Sequence, residues 1–227
     1  MVIQEAWGVN AQIEDVVRRI AAAGYLAIAL DLYAVEGKRP PALSRERVEK
    51  AISFMQELPP GAMMNPATRD AELSKLPEVD RQQISESFGR IFGYASPDRL
   101  ESMTVLLRKA VRYLKSERLE TRNQRAACVG GLSALLACEE PELDAAAVFY
   151  GNAPAGDRVT KINCPVIGSY GEKDQRVNVG IPAFQEAMRK GENHSSTTFI
   201  REPHTPSSTT TDRVMMYMQL GIRSHGF

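Results

Sequence analysis

The run Tyr25–Leu30, Y-L-A-I-A-L, narrows the choice of fold more than any other stretch of this chain. An unbroken apolar run with no polar alternation predicts a strand covered on both faces, as in a parallel sheet flanked by helices. The residues before it agree. Ile13, Val16, Val17 and Ile20 recur at helical spacing within residues 11–23, and Gly24 follows as a stop. Met1–Gln4 reads as a short buried strand ahead of that helix. Strand, helix and strand together make a βαβ unit, so the fold class is α/β, with a mostly parallel sheet and helices on both faces.

The rest of the chain extends this pattern. Asp31 to Pro41 is polar and proline-rich, a loop leaving the C-terminal edge of a strand. Ser44 to Leu58 is predicted helical and is broken by Pro59-Pro60-Gly61. Residues 59–96 contain short helical pieces, with Ile84, Phe88, Ile91 and Phe92 on one apolar stripe and no strong strand. They read as a helical insertion, with a lid over the site as one use for it and plain packing as the other. Ser96 can cap a helix that starts at Pro97 and buries Leu100, Met103, Leu107, Ala110, Val111 and Leu114. Strands are expected at Ala145–Tyr150, Pro165–Tyr170 and Thr197–Ile200, and helices at 132–139, 182–190 and 212–220. No repeat or linker divides the chain, so residues 1–227 are expected to form a single domain interrupted by the insertion at 59–96.

Charge excludes several functions. Lys+Arg and Asp+Glu each number 28, giving a formal net charge of zero. Such a chain has no positive excess with which to neutralise a nucleic-acid backbone or an anionic membrane surface. The longest apolar stretches run about seven residues, far short of the roughly 20 of a spanning helix. The three cysteines, Cys128, Cys138 and Cys164, are odd in number and lack a C-x-x-C pair. With no basic, apolar leader at the start, they predict a reducing, cytoplasmic setting.

Residues 126–131 read A-A-C-V-G-G and precede a helix-favouring stretch. Small-x-nucleophile-x-Gly before a helix is the sequence form of a nucleophile elbow, in which the nucleophile sits on a tight turn that tolerates only small flanks. The helix that follows favours the Cys128 thiolate. A lone cysteine beside two glycines is also a common core residue, so its partners carry the argument. Asp174 ends G-E-K-D after a predicted strand, and His204 lies in R-E-P-H-T after the next one. Nucleophile, acid and base follow each other at separations of 46 and 30 residues, the chain order of α/β-hydrolases. His204 would take the thiol proton and return it to the leaving group, while Asp174 fixes the imidazole tautomer. The oxyanion needs two backbone donors, expected at Val129 and at Ala6 or Trp7. Trp7, Tyr33 and Tyr150 adjoin strand ends and are candidate substrate-pocket walls. The chemistry calls for no cofactor. No metal is expected either, since His204 has no second histidine or cysteine at ligand spacing.

With these residues in place, the sequence resembles the dienelactone hydrolase family, a cysteine-nucleophile branch of the α/β-hydrolases. The resemblance is carried by I-Q-E-A-W-G-V-N at 3–10, G-Y-L-A-I-A-L-D-L-Y at 24–33, A-A-C-V-G-G, F-Y-G-N-A-P at 149–154, G-E-K-D, and N-V-G-I-P-A-F-Q-E-A-M at 178–188. It covers most of the chain outside residues 59–96. It implies hydrolysis of an enol lactone or related small ester. It also implies that Glu5, at the strand-end glutamate position, interacts with the resting thiol and helps to form the thiolate.

A second reading is a catalytically silent relative that binds a partner on an inherited scaffold. Three features favour it. About two strands that usually precede the I-Q-E motif do not stand before it here, Thr121–Arg125 is polar where an elbow strand should be apolar, and the sheet edge is left uncovered. An uncovered edge predicts pairing with a second copy of the chain as a homodimer.

Overall fold

The computed structural model describes residues 1–93, 96–117, 127–154, 156–191 and 197–202. The chain forms two compact units. One comprises Met1–Glu5, Ala11–Leu30 and the chain from Ser102 onward; the other comprises Ala6–Asn10 and Asp31–Glu101.

The first unit holds the sheet. Helix α1 (Ala11–Ala22) buries Ile13 and Ile20. It closes with the Tyr25 amide on Ile20 O and the Gly24 amide on Ala21 O, the paired bonds of a Schellman motif. The four residues Met1–Gln4 are buried, and Val2 forms a parallel bridge to Ala29. The expected strand at Tyr25–Leu30 is thus reduced to a single bridge, and its two faces are not both covered: Leu26 is 44% exposed. Composition made the segment suitable for two-sided burial, but burial depends on neighbours, and one bridge to Val2 leaves it partly open.

Further along come α5 (Pro97–Ser116), β1 (Ala127–Val129), α6 (Ser133–Glu139), β2 (Ala145–Phe149), α7 (Gly156–Val159), β3 (Val166–Gly171), α8 (Gln175–Asn178), α9 (Ile181–Lys190) and β4 (Thr197–Glu202). The strands stand in the order β1-β2-β3-β4 and all pair in parallel. Helical crossovers between sequential neighbours make this order the natural outcome of the strand–helix alternation. β2 and β3 are apolar runs with nearly every residue buried, as expected of central parallel strands. Around them Leu136, Val148, Val159, Val166, Tyr170 and Phe184 form the core. Glu140, at the end of α6, is fully enclosed. Its Oε2 lies 3.3 Å from Arg108 Nε and 3.5 Å from Arg112 Nε on α5, and its Oε1 accepts the Glu142 amide at 3.2 Å. The predicted helix at 212–220 lies outside the described residues.

The second unit is helical. Helix α2 (Arg45–Glu57) starts at Ser44, whose side chain accepts the Arg47 amide. Helix α3 (Pro66–Ser74) is capped by Asn65, and α4 (Glu78–Gly93) follows. Ala51, Phe54, Leu73, Ile84 and Phe88 form its core. Two expectations change here. α4 runs for 16 residues rather than as short pieces. Phe92, expected on the buried stripe, is 53% exposed and touches only the Phe88 ring among the described aromatic contacts. At 3.6 residues per turn Ile84, Phe88 and Ile91 stay on one face, while Phe92 is rotated off it. The unit includes Asp31–Leu58 as well.

Candidate active site

A parallel sheet delivers the C-terminal ends of its strands to one edge, where loops carry functional groups. Five chain segments end there: Met1–Gln4 at Glu5, β1 at Gly130-Gly131, β2 at Tyr150-Gly151, β3 at Gly171–Asp174, and β4 at Glu202. His204 follows two residues later and lies outside the described residues.

Three of these ends are locked together by close approach. Gly130 has φ +143°, and a Cβ there would stand 2.9 Å from Ile3 O. A Cβ on Gly151 would stand only 2.0 Å from Gly131 O. Both positions therefore need glycine. They set the end of the first segment and the end of β2 directly against the turn that follows β1. Gly151 was not singled out from the sequence; a glycine at the end of an apolar strand is the signal that could have found it.

Cys128 occupies the middle of β1, with its backbone opposite Ala146, and Val129 is opposite Ala147. The sequence placed the cysteine on the strained turn itself. The structure instead carries the strand through Val129, and the unusual φ falls at Gly130, two residues on. The reason is the ladder: the Gly130 amide donates to Ala147 O at 3.0 Å, so strand geometry persists until that bond is made. The same alternation turns the Val129 amide away from β2, leaving it unused by that strand.

Glu5 and Tyr150, 145 residues apart in sequence, meet at this edge. The Tyr150 hydroxyl donates to Glu5 Oε1. Tyr150 holds φ +41°, a costly conformation for a bulky residue, and its amide is tied to Ser169 O at 2.9 Å. Burial first, then the Glu5 charge and the hydrogen bond, keep the phenol protonated well above its ordinary range. Asp174 is half-buried after β3 and caps α8, its Oδ1 accepting the Val177 amide at 3.3 Å.

The remaining candidates belong to the second unit and have packing or bracing contacts there. Ala6 is exposed and its carbonyl accepts the Tyr33 hydroxyl. Tyr33 is 2% exposed, and its amide donates to Asp31 Oδ1 at 3.1 Å. Arg39 pairs with Asp31 and donates to Val9 O at 2.8 Å. Trp7 is half-buried against the helical core. Among the described residues, no group of three His, Cys, Asp or Glu side chains is placed to hold a metal ion. None of the described helices is long and apolar enough to cross a membrane.

The sequence profile of the dienelactone hydrolase family matches residues 1–201. The chain belongs to the dienelactone hydrolase family. A relative from Saccharolobus solfataricus, provisionally named a carboxymethylenebutenolidase, is 28% identical over 191 residues, spanning 84% of this chain and 71% of that protein. A Salmonella typhimurium protein with the same provisional name is 25% identical over 201 residues, 83% of this chain and 60% of its own length. This dienelactone hydrolase family member thus spans about 60% of that relative's length. Two solved structures share the fold. One, provisionally described as a dienelactone hydrolase of Klebsiella pneumoniae, aligns with a TM-score of 0.51 at 20% identity over 99% of this chain and 85% of that one. The other, a dienelactone hydrolase-like promiscuous phosphotriesterase from metagenomic libraries, aligns at 0.51 and 16% identity over 96% and 82%. The α/β architecture is that of the dienelactone hydrolase fold.

Proposed function

We propose that this dienelactone hydrolase family member hydrolyses small lactones or esters through Cys128, His204 and Asp174. The Cys128 thiolate attacks the acyl carbon, the carbon–oxygen bond breaks, and the enolate or alkoxide leaves as a thioester forms. His204 accepts the thiol proton and passes it to the leaving oxygen. It then activates the water that releases the carboxylate and restores the thiol. Asp174 orients the imidazole, and the Val129 amide donates to the oxyanion. Glu5 assists formation of the thiolate. The observation that carries this reading is the meeting of strand ends at one edge: Glu5 with Tyr150, and the glycine contacts that lock both ends to the turn after Cys128. An enol lactone suits such a site, because its leaving group is stabilised and needs little acid assistance.

A silent scaffold that binds a partner is the second reading. It draws on Cys128 lying within the ladder and on Asp174 spending one oxygen as a helix cap. Turnover separates the two. Hydrolysis of p-nitrophenyl acetate and of a dienelactone is measured for the wild type, Cys128→Ser and His204→Ala at matched folding by circular dichroism. Losses above roughly 100-fold in both variants support the hydrolase, corresponding to about 2.7 kcal/mol of transition-state stabilisation. A well-folded wild type no better than its variants leaves the scaffold reading.

A further inference from the structure

The loop after β3 turns through Gly171, Glu172, Lys173 and Asp174, and the first two of its carbonyls are gripped by one side chain. Asn178 Nδ2 donates to Gly171 O at 2.9 Å and to Glu172 O at 3.2 Å. With two acceptors in reach, the amide group has one satisfactory orientation, nitrogen toward the loop. The Asn178 backbone amide donates to Asp174 O at 2.9 Å, and the Asp174 amide donates to Gly171 O at 3.1 Å. Asp174 Oδ1 in turn accepts the Val177 amide. Val177 is buried, so this single helical turn is anchored to the core between the two polar residues.

The other end of the Asn178 amide is unusual. Its Oδ1 is buried and has no hydrogen-bond partner among the described residues. A buried carbonyl without a donor is unfavourable, and natural chains keep few of them. Helix formation alone does not require asparagine at this place, since α8 closes through backbone bonds. What asparagine adds is the double grip on the loop that leads into Asp174.

We propose that Asn178 is a positioning residue for Asp174, clamping the Gly171–Asp174 loop so that the carboxylate is presented in one geometry. The proposal rests on the reading of Asp174 as the acid that orients the catalytic base. Asn178 touches no reacting atom in this scheme; it acts through Asp174. Without the clamp, the Gly171 and Glu172 carbonyls turn to water and the loop gains alternatives. Misplacement of a supporting group by about 1 Å can cost on the order of 100-fold in rate.

The test is a double-mutant cycle on the full chain. The values of kcat and KM for p-nitrophenyl acetate are measured for the wild type, Asn178→Ala, Asp174→Ser and the double variant, with Cys128→Ser as the blank and urea midpoints recorded for all. Asp174→Ser removes the carboxylate and keeps a side chain able to cap α8. The expected result is a roughly 10- to 100-fold fall in kcat for Asn178→Ala, with KM within about twofold, and no further fall when it is added to Asp174→Ser. Should Asn178→Ala not fold, Asn178→Ser, which retains one donor, carries the same comparison. An unchanged kcat overturns the proposal. So does an equal fall in both backgrounds, which marks general damage to the fold. An active wild type whose Asp174→Ser variant is equally fast removes Asp174 from its role and the proposal with it. A wild type no faster than Cys128→Ser overturns the hydrolase reading itself, and this inference falls with it.

Discussion

Gly151→Ala is expected to be among the most damaging small substitutions available in the sheet. The added methyl would lie 2.0 Å from Gly131 O, 2.7 Å from Gly131 C and 2.8 Å from Gly131 Cα. Carbon–oxygen contacts below 3.0 Å are essentially never tolerated, so one backbone must move by at least 1 Å. Neither moves freely. Gly130 N is held on Ala147 O at 3.0 Å, and Tyr150 N on Ser169 O at 2.9 Å. Overpacking costs about 1–3 kcal/mol, and weakening one of those bonds adds about 1 kcal/mol, so a loss of about 2–4 kcal/mol is expected. Urea unfolding followed by far-UV circular dichroism measures it. Gly156→Ala is the control, because its Cβ would meet only Ala187 Cβ at 4.0 Å. A Gly151→Ala variant within about 0.5 kcal/mol of wild type would refute the claim that the two glycine backbones touch.

Three further outcomes follow from the chemistry of the first unit. Burial pushes the Cys138 thiol up to about 11, Cys164 is buried as well, and iodoacetamide should therefore label Cys128 first; equal, slow labelling of all three thiols would count against a catalytic Cys128. Because the folded value of Cys138 lies above its ordinary 9.0, the stability its neutral thiol contributes is complete below about pH 9 and is lost as the pH rises through 11. That loss is up to about 2–3 kcal/mol, and Cys138→Ala should flatten the fall of the urea midpoint between pH 9 and 11, whereas parallel curves would deny it. Replacing both Arg108 and Arg112 by methionine strands a carboxylate whose side chain is 0% exposed, and should cost about 3–5 kcal/mol; Glu140→Gln frees two arginines that already reach solvent, and should cost clearly less by the same unfolding assay.

Much of the sheet was readable because its central strands are predominantly apolar. Ala145–Phe149 and Val166–Gly171 are buried runs whose composition leaves few alternatives. Tyr25–Leu30 has the same composition and a different fate, since coverage is decided by what lies beside a strand and not by the strand. The candidates Glu5, Cys128 and Asp174 could be nominated from the sequence because each lies on or just after a segment that ends at the same edge. Their geometry was less so. The position of the turn relative to Cys128 depends on a ladder bond from Gly130 to Ala147, and the grip of Asn178 depends on two carbonyls six and seven residues earlier. Tyr150 and Glu5 were each singled out for different reasons. Nothing local to either segment shows that they bond to each other.

That bond has a consequence for how the protein comes to exist. Glu5 leaves the ribosome well before its partner hydroxyl, which arrives 145 residues later. Closing so long a loop carries an entropic cost that grows with length, and contacts of this separation form late in folding. Among the described residues, the β-pairing of Met1–Gln4 is the bridge from Val2 to Ala29. The edge where Glu5 meets Tyr150 is therefore assembled late, after most of the sheet exists, and a partly folded chain can hold its central strands before these two ends are joined.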